Sequence, residues 1–147
     1  PDFNGNLQSL SNIIATKPNI INHNLETVSR LYRKIRPQAD YQRSLFVIKS
    51  VKSANIPLYT KSGIMLGLGE KKAEVINLME DLRSVGCDIL TIVQYIQPSK
   101  KQVEAQEFVH PSVFEEYSEI GKRLGFKKIL ANPFVRSSYK AGETIDV

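Results

Sequence analysis

The chain is short of the residues on which several chemistries depend. It has one cysteine, Cys87, two histidines and no tryptophan. A single cysteine excludes a disulfide within the chain and a complete cysteine-based metal or iron–sulfur site. It is compatible with a reducing compartment. Cys87 lies between a helical pattern and a strand pattern, which predicts a small buried hydrophobe rather than a reactive thiol. His23 has no residue of metal-ligand type beside it, and His110 stands where a helix N-cap belongs. The serines near the C-terminus have no paired histidine and acid, so no triad is expected. No stretch approaches the ~18 apolar residues of a membrane helix, and no membrane partner is expected. Residues 1–5, PDFNG, carry neither a basic nor an apolar leader region, so no secretory signal is expected there. The chain does not begin with methionine, and the expectation is a piece of a longer protein.

What is present suffices for a core. The 147 residues are 41% hydrophobic, which fits one globular domain. Net charge is +5, from 20 Lys and Arg against 15 Asp and Glu. The cations are scattered, and the doublets at 71–72, 100–101 and 127–128 lack interleaved aromatics. That pattern predicts a solvated surface and no nucleic-acid partner.

Along the chain, short apolar strands alternate with helical stripes. Ile20 and Ile21 form a strand candidate that ends in the polar Asn22-His23-Asn24. Leu25, Val28, Tyr32 and Ile35 recur at helical spacing until Pro37, and Leu45, Ile48 and Val51 mark a second helix. Residues 61–66 read as the next strand, followed by the turn Gly67-Leu68-Gly69. Val75, Leu78, Met79, Leu82 and Val85 share a helix face, which Gly86 ends. Residues 88–95 are too continuously apolar for a one-sided strand, which favours a parallel sheet covered on both faces. After a polar loop, 97–110, Pro111 opens a helix with Ser112 and Glu115 at capping-box spacing. Val113, Tyr117, Ile120 and Leu124 form its stripe, and residues 127–130 are the last strand. Repeated βα units at this spacing mean an α/β fold with a parallel sheet. Four strands cannot close an eight-stranded barrel, so the sheet is open or belongs to an incomplete one. In either case function gathers at the C-terminal ends of the strands.

The polar residues sit at those ends. Asn24 and Glu26 suit a helix start, or a rim that hydrogen-bonds a ribose or amino-acid group. The glycine turn after residue 66 offers backbone N–H groups to an anion, or is a plain tight turn. Lys61 opens its strand, so its side chain need not reach the site. Gln94 and Gln97 could hold a ligand or satisfy buried backbone. Composition alone gives Arg136-Ser137-Ser138-Tyr139 no reading beyond a polar tail.

Six segments together resemble the lipoyl synthase family of radical S-adenosylmethionine enzymes. They are PDFNG (1–5), NHNLETV (22–28), IRPQADYQRSL (35–45), TKSGIMLGLGE (60–70), LTIVQYIQPS (90–99) and NPFVRSSYKAGE (132–143). They stand in the family's order and cover essentially the whole chain. The resemblance implies the C-terminal part of a partial TIM-type barrel, an incomplete parallel (βα) barrel over residues 1–131. A tail, 132–147, would follow it and carry a serine ligand of an auxiliary cluster.

The resemblance also implies a chemistry. The family uses S-adenosylmethionine and two 4Fe–4S clusters to insert sulfur at C6 and C8 of a protein-bound octanoyl chain, in lipoate biosynthesis. Both cysteine motifs of the family lie upstream of the matched segments, so neither cluster is expected to assemble in these 147 residues, and the chain alone is expected to be inactive. Carried over residue by residue, Ser138 is the auxiliary-cluster ligand, with Arg136 and Tyr139 in its pocket. Asn22, Asn24, Glu26 and Arg36 are the S-adenosylmethionine contacts, with Gly67, Gly69, Glu70 and Gln94 as further positions. Two departures stand near the site: Val93 and Asn132 each replace a glycine usual in the family. The implied partners are an octanoylated lipoyl carrier domain or H protein, and an electron donor such as ferredoxin or flavodoxin. The implied place is the cytoplasm, with mitochondrion or plastid as alternatives. Exposed strand edges predict a dimer for the isolated chain. The rival readings are a non-catalytic α/β binding or interaction module and a scaffolding chain with a basic surface.

Overall fold

The structure, a computed structural model, describes residues 2–135. Four parallel strands form one sheet in the order β1-β2-β3-β4. They are β1 (Ile20–Asn22), β2 (Tyr59–Leu66), β3 (Ile89–Gln94) and β4 (Lys128–Ala131). Every neighbouring pair is consecutive in sequence, so each connection is a crossover, and each carries helix. Helix α1 (Leu7–Ala15) precedes β1; α2 (Tyr32–Ile35) and α3 (Tyr41–Ser53) join β1 to β2. Helix α4 (Lys72–Ser84) joins β2 to β3, and α5 (Pro111–Arg123) joins β3 to β4.

The register sorts the side chains into two faces. Ser62 pairs with Leu90 and Ile64 with Ile92, while Leu90 pairs with Ile129 and Ile92 with Ala131. Ile64, Leu90 and Ile92 join the main core with Leu78, Met79 and Leu82 of α4 and Phe114 and Tyr117 of α5. The opposite face presents Lys61, Gly63 and Met65 beside Ile89, Thr91 and Val93. Helices on one face, with polar groups on the other, match a segment of a barrel wall rather than a doubly wound sheet. The incomplete parallel (βα) barrel is thus the observed architecture.

Burial explains the continuous apolar run of β3. Its residues are buried on both faces, apart from the half-buried Val93. Lys61, though it opens its strand region, is 3% exposed on the face opposite the helices. Burial, and then the charge of Lys128, pull its pKa down.

Two elements differ from the sequence reading. Leu25 to Ile35 do not form one helix. The Glu26 N–H donates to the Gly63 carbonyl at 2.9 Å, and the Met65 N–H donates to the Glu26 carbonyl at 2.8 Å. Residue 26 therefore extends the parallel ladder, with a left-handed φ of 67°. A 3-10 turn, Ser29–Leu31, and the short α2 follow. The apolar spacing imitates a helix because Leu25 and Val28 fill the core from irregular backbone. At α5, the N-cap is His110, whose Nδ1 accepts from the Ser112 N–H at 3.3 Å. The capping pair read at Ser112 and Glu115 lay inside the helix. The sequence reading also passed over α1, whose N-cap Asn6 accepts from the Ser9 N–H at 2.9 Å.

Cys87 is fully buried between α4 and β3. Burial is the main reason its thiol is pushed up to about 12. Against an ordinary thiol that leaves roughly 1,000-fold less thiolate at neutral pH. Cys87 is expected to ignore a disulfide reagent in the native fold and to titrate fully in denaturant. Rapid native labelling of one thiol would contradict the packing.

Candidate functional site

The C-terminal ends of β1, β2 and β3 meet around two cavities. The first, about 550 Å³, is lined by Asn22, His23, Asn24, Glu26 and Arg36 with residues 37–39 and Asp2. The second, about 580 Å³, lies on the face away from the helices, against Gly63, Met65, Thr91 and Val93. Asn24 and Glu26 line both. The substituted Val93 is thus a wall of the second cavity.

Asn24 and Glu26 owe their position to the extended ladder. Asn24 Nδ2 donates to Glu26 Oε1 at 3.1 Å. Asn24 Oδ1 is buried and accepts no hydrogen bond from the described residues. It lies against Gly63, where a Cβ would stand 3.0 Å from that oxygen. Gly63 therefore provides the room in which Asn24 lies flat on the sheet. A buried orphan acceptor beside a carboxylate is an arrangement that waits for a donor. These residues do not open a helix, so the capping role read for Asn24 and Glu26 does not occur.

His23 is 7% exposed, and its Nε2 likewise has no partner among the described residues. Burial, and then the nearby Arg36 charge, bring its pKa down to about 4. At neutral pH it is an uncharged imidazole in the wall of the first cavity.

Arg36 acts first on the chain itself. Its Nη1 donates to the carbonyls of Asn24, at 3.0 Å, and Leu25, at 3.2 Å. Its guanidinium stacks 5.4 Å over the Tyr32 ring. Arg36 thus holds the rim in shape while lining the first cavity.

The glycine turn is closed from within. Glu70 Oε1 accepts from the Gly67 N–H at 2.6 Å, and Oε2 from the Leu68 N–H at 2.9 Å. The N–H groups read as an anion cradle are therefore taken by Glu70, and the plain tight turn is what forms. Gly69 donates its carbonyl to the rim's second arginine: Arg30 Nη2 reaches it at 2.8 Å and forks onto Glu74 at 2.6 and 2.9 Å. Arg30 escaped the sequence reading, because a helix-adjacent arginine reads as surface.

Gln94 is also committed. Its Nε2 donates to the Tyr95 and Glu107 carbonyls at 2.9 and 3.0 Å, and its Oε1 accepts from the Val109 N–H at 2.9 Å. Of the two readings of this amide, the structure takes the one that satisfies buried backbone. Gln94 positions the 97–110 loop and contributes a wall to the second cavity. Asn132 Oδ1 accepts from the Phe134 N–H at 3.0 Å, so the substituted residue shapes the turn after β4. Arg136, Ser138 and Tyr139 lie outside the described residues. Among the described residues no three His, Cys, Asp or Glu side chains gather as a metal site. Among them no helix is long and apolar enough to cross a membrane.

A parallel barrel wall with a polar rim at its strand ends is shared by many families. Here the comparison with known proteins is specific. Residues 3–82 match the Radical SAM superfamily, and the chain belongs to it. Within that class its likeness runs to lipoyl synthases over nearly its full length. It is 52% identical to the lipoyl synthase of Caldanaerobacter subterraneus subsp. tengcongensis, over 96% of this chain and 50% of the relative. It is 49% identical to that of Caldicellulosiruptor saccharolyticus, over 100% of this chain and 52% of the relative. The mitochondrial lipoyl synthase of Nematostella vectensis is 50% identical over 99% of this chain and 50% of its own. The chain spans about half the length of the curated relatives it matches, and the resemblance read from the motifs is borne out.

Proposed function

We propose that the chain is the C-terminal part of a lipoyl synthase, acting in lipoate biosynthesis by inserting sulfur at C6 and C8 of a protein-bound octanoyl chain. The observation that carries this reading is the β1 rim. Asn24 Oδ1 is a buried acceptor without a donor, fixed beside the Glu26 carboxylate at the junction of two cavities. Paired acceptors of this kind suit the vicinal hydroxyls of a ribose, and S-adenosylmethionine carries one. Arg36 and Asn22 complete the wall on the side of the amino-acid group.

The described residues do not fit an iron–sulfur cluster. Their single cysteine is buried near the N-terminal end of β3, with its thiol held protonated. The 4Fe–4S chemistry of the family would thus rest on ligands beyond these residues, with Ser138 the one that this chain supplies. When bound, S-adenosylmethionine and the clusters supply the hydrogen abstraction and the sulfur. The part of this chain is to bind, orient and shield. Residues 1–131 form the barrel portion and 132–147 the tail that brings Ser138, with Arg136 and Tyr139, to the auxiliary site. By itself the chain is a binding module without catalysis, and its edge strands β1 and β4 offer a dimer contact. The intact protein takes an octanoylated lipoyl carrier domain or H protein, with ferredoxin or flavodoxin as electron donor. It works in the cytoplasm, or in a mitochondrion or plastid.

In the intact protein, Glu26→Gln and Asn24→Ala are each expected to weaken S-adenosylmethionine binding by roughly ten- to a hundredfold, the value of hydrogen bonds to a charged or buried acceptor. Titration calorimetry measures this directly. Unchanged affinity in both variants would remove the rim from the site.

A further inference from the structure

Two basic segments leave the C-terminal ends of different strands and converge on a third cavity. Lys34 and Arg36 follow β1, and Lys101 lies in the 97–110 loop after β3. All three line the cavity, which measures about 360 Å³. Arg33 and Lys100 stand exposed beside them. Other cations of the surface are matched: Arg30 with Glu74, Arg43 with Asp2, Lys72 with Glu116, and Lys122 with Glu119. Arg33, Lys34, Lys100 and Lys101 make no ion pair with any described residue. A cluster of unmatched like charge held at the functional end of the sheet costs self-repulsion and steers an anionic partner.

Below this lip the cavity is apolar. Ile35, Met65, Tyr95 and Val103 form its walls. The loop side is braced, since Tyr95 Oη donates to the Val103 carbonyl at 2.6 Å. Glu26 and Met65 line this cavity and the second one as well. The slot thus leads from a cationic surface to the β1 rim. Its volume is at the small end for ligand sites and suits one extended arm rather than a globular ligand.

We propose that Lys34, Arg36 and Lys101 form the docking lip for an acidic protein domain, and that the slot behind them admits the aliphatic acyl-lysyl arm that this domain carries. The proposal rests on the lipoyl synthase reading and adds to it where the carrier sits and what charge it presents. An apolar arm on an anionic surface is the complement of an apolar slot behind a cationic lip.

The test uses the intact protein with its clusters and the double variant Lys34→Glu/Lys101→Glu. Lys17→Glu/Lys49→Glu makes the same charge change on exposed residues away from the lip. KM is measured for an octanoylated lipoyl carrier domain and for a short octanoyl-lysyl peptide without acidic residues. The lip variant is expected to raise the carrier KM about tenfold more than the peptide KM, and to flatten its salt dependence. Lys34→Gln/Lys101→Gln falls between wild type and the reversal. A carrier KM that rises no more in the lip variant than in the control overturns the proposal. So does tight binding of a short single-stranded RNA that is lost in the lip variant while carrier affinity stays. If the wild-type intact protein turns over neither the carrier nor the peptide, the lipoyl synthase reading itself has failed, which is a separate result.

Discussion

Gly67→Ala is expected to lower stability by roughly 3–5 kcal/mol, combining a left-handed backbone with a steric clash. Gly67 has φ of 94°, and a Cβ there would stand 2.3 Å from the Glu107 carbonyl oxygen and 2.5 Å from Gln94 Nε2. Neither obstacle can swing aside. The first is backbone, and the second is an amide held by three hydrogen bonds. The Gly67 carbonyl also accepts from the Gln106 N–H at 2.8 Å, so relief by moving the turn would strip the loop after β3 from the sheet. Gly69→Ala is the control. It has nearly the same φ, 96°, but the nearest atom to its Cβ is a flexible side-chain carbon at 3.7 Å. Only the conformational cost remains there, roughly 1–2 kcal/mol. Urea unfolding of the two variants separates the contributions. Equal losses would show that the loop yields and that the clash is relieved at little cost.

This contrast bears on what the sequence could reveal. Periodicity found every strand and α3, α4 and α5, because their apolar residues face one core. It failed at residues 25–28, where a left-handed Glu26 and a single ladder contact bury Leu25 and Val28 at helix-like spacing. No one-dimensional pattern distinguishes that from a first helical turn. It passed over α1, whose Leu7 is 55% exposed and Ile13 42% exposed, so the stripe is diluted.

The candidate site was legible in place but not in role. Topology alone put the polar residues of NHNLE, GLGE and Gln94 at one end of a parallel sheet. What each does depends on contacts from distant segments. Glu70 turns inward to its own loop, and Gln94 is taken by the 107–109 backbone. Arg36 is spent on the rim that it was expected to serve. Only Asn24, Glu26 and His23 keep polar atoms turned to the cavities with work left to do. The cationic lip was invisible for the same reason. Lys34 and Lys101 belong to two unremarkable basic segments until the sheet places both around one slot.

The other end of the sheet leads to the last prediction. Asp88→Ala is expected to cost roughly 3–5 kcal/mol, because it breaks a buried ion pair and leaves its partners unsatisfied. Asp88 is 4% exposed at the N-terminal end of β3. Its Oδ2 accepts from Lys52 Nζ at 2.9 Å, the Thr60 N–H at 2.9 Å and Thr60 Oγ1 at 3.1 Å. Its backbone carbonyl accepts from the Lys127 N–H at 2.9 Å. One residue thus ties α3, β2 and the approach to β4. Burial alone would raise the carboxyl, but the Lys52 and Thr60 bonds outweigh it, and the pKa lies below the ordinary carboxylate value. A depressed folded pKa means stability that is fully present above the unfolded value. It begins to be lost near about pH 5 and is lost further as pH falls through the folded pKa. Asp88→Asn keeps one acceptor and cannot titrate, so its cost at pH 7 is smaller, roughly 2 kcal/mol. Its unfolding free energy should fall less steeply with acid than that of the wild type, narrowing the gap between them below about pH 4. Denaturant titrations at pH 7 and pH 3.5 measure both quantities. A gap as wide in acid as at neutrality would mean that the Asp88 carboxylate is not what holds this end of the sheet together.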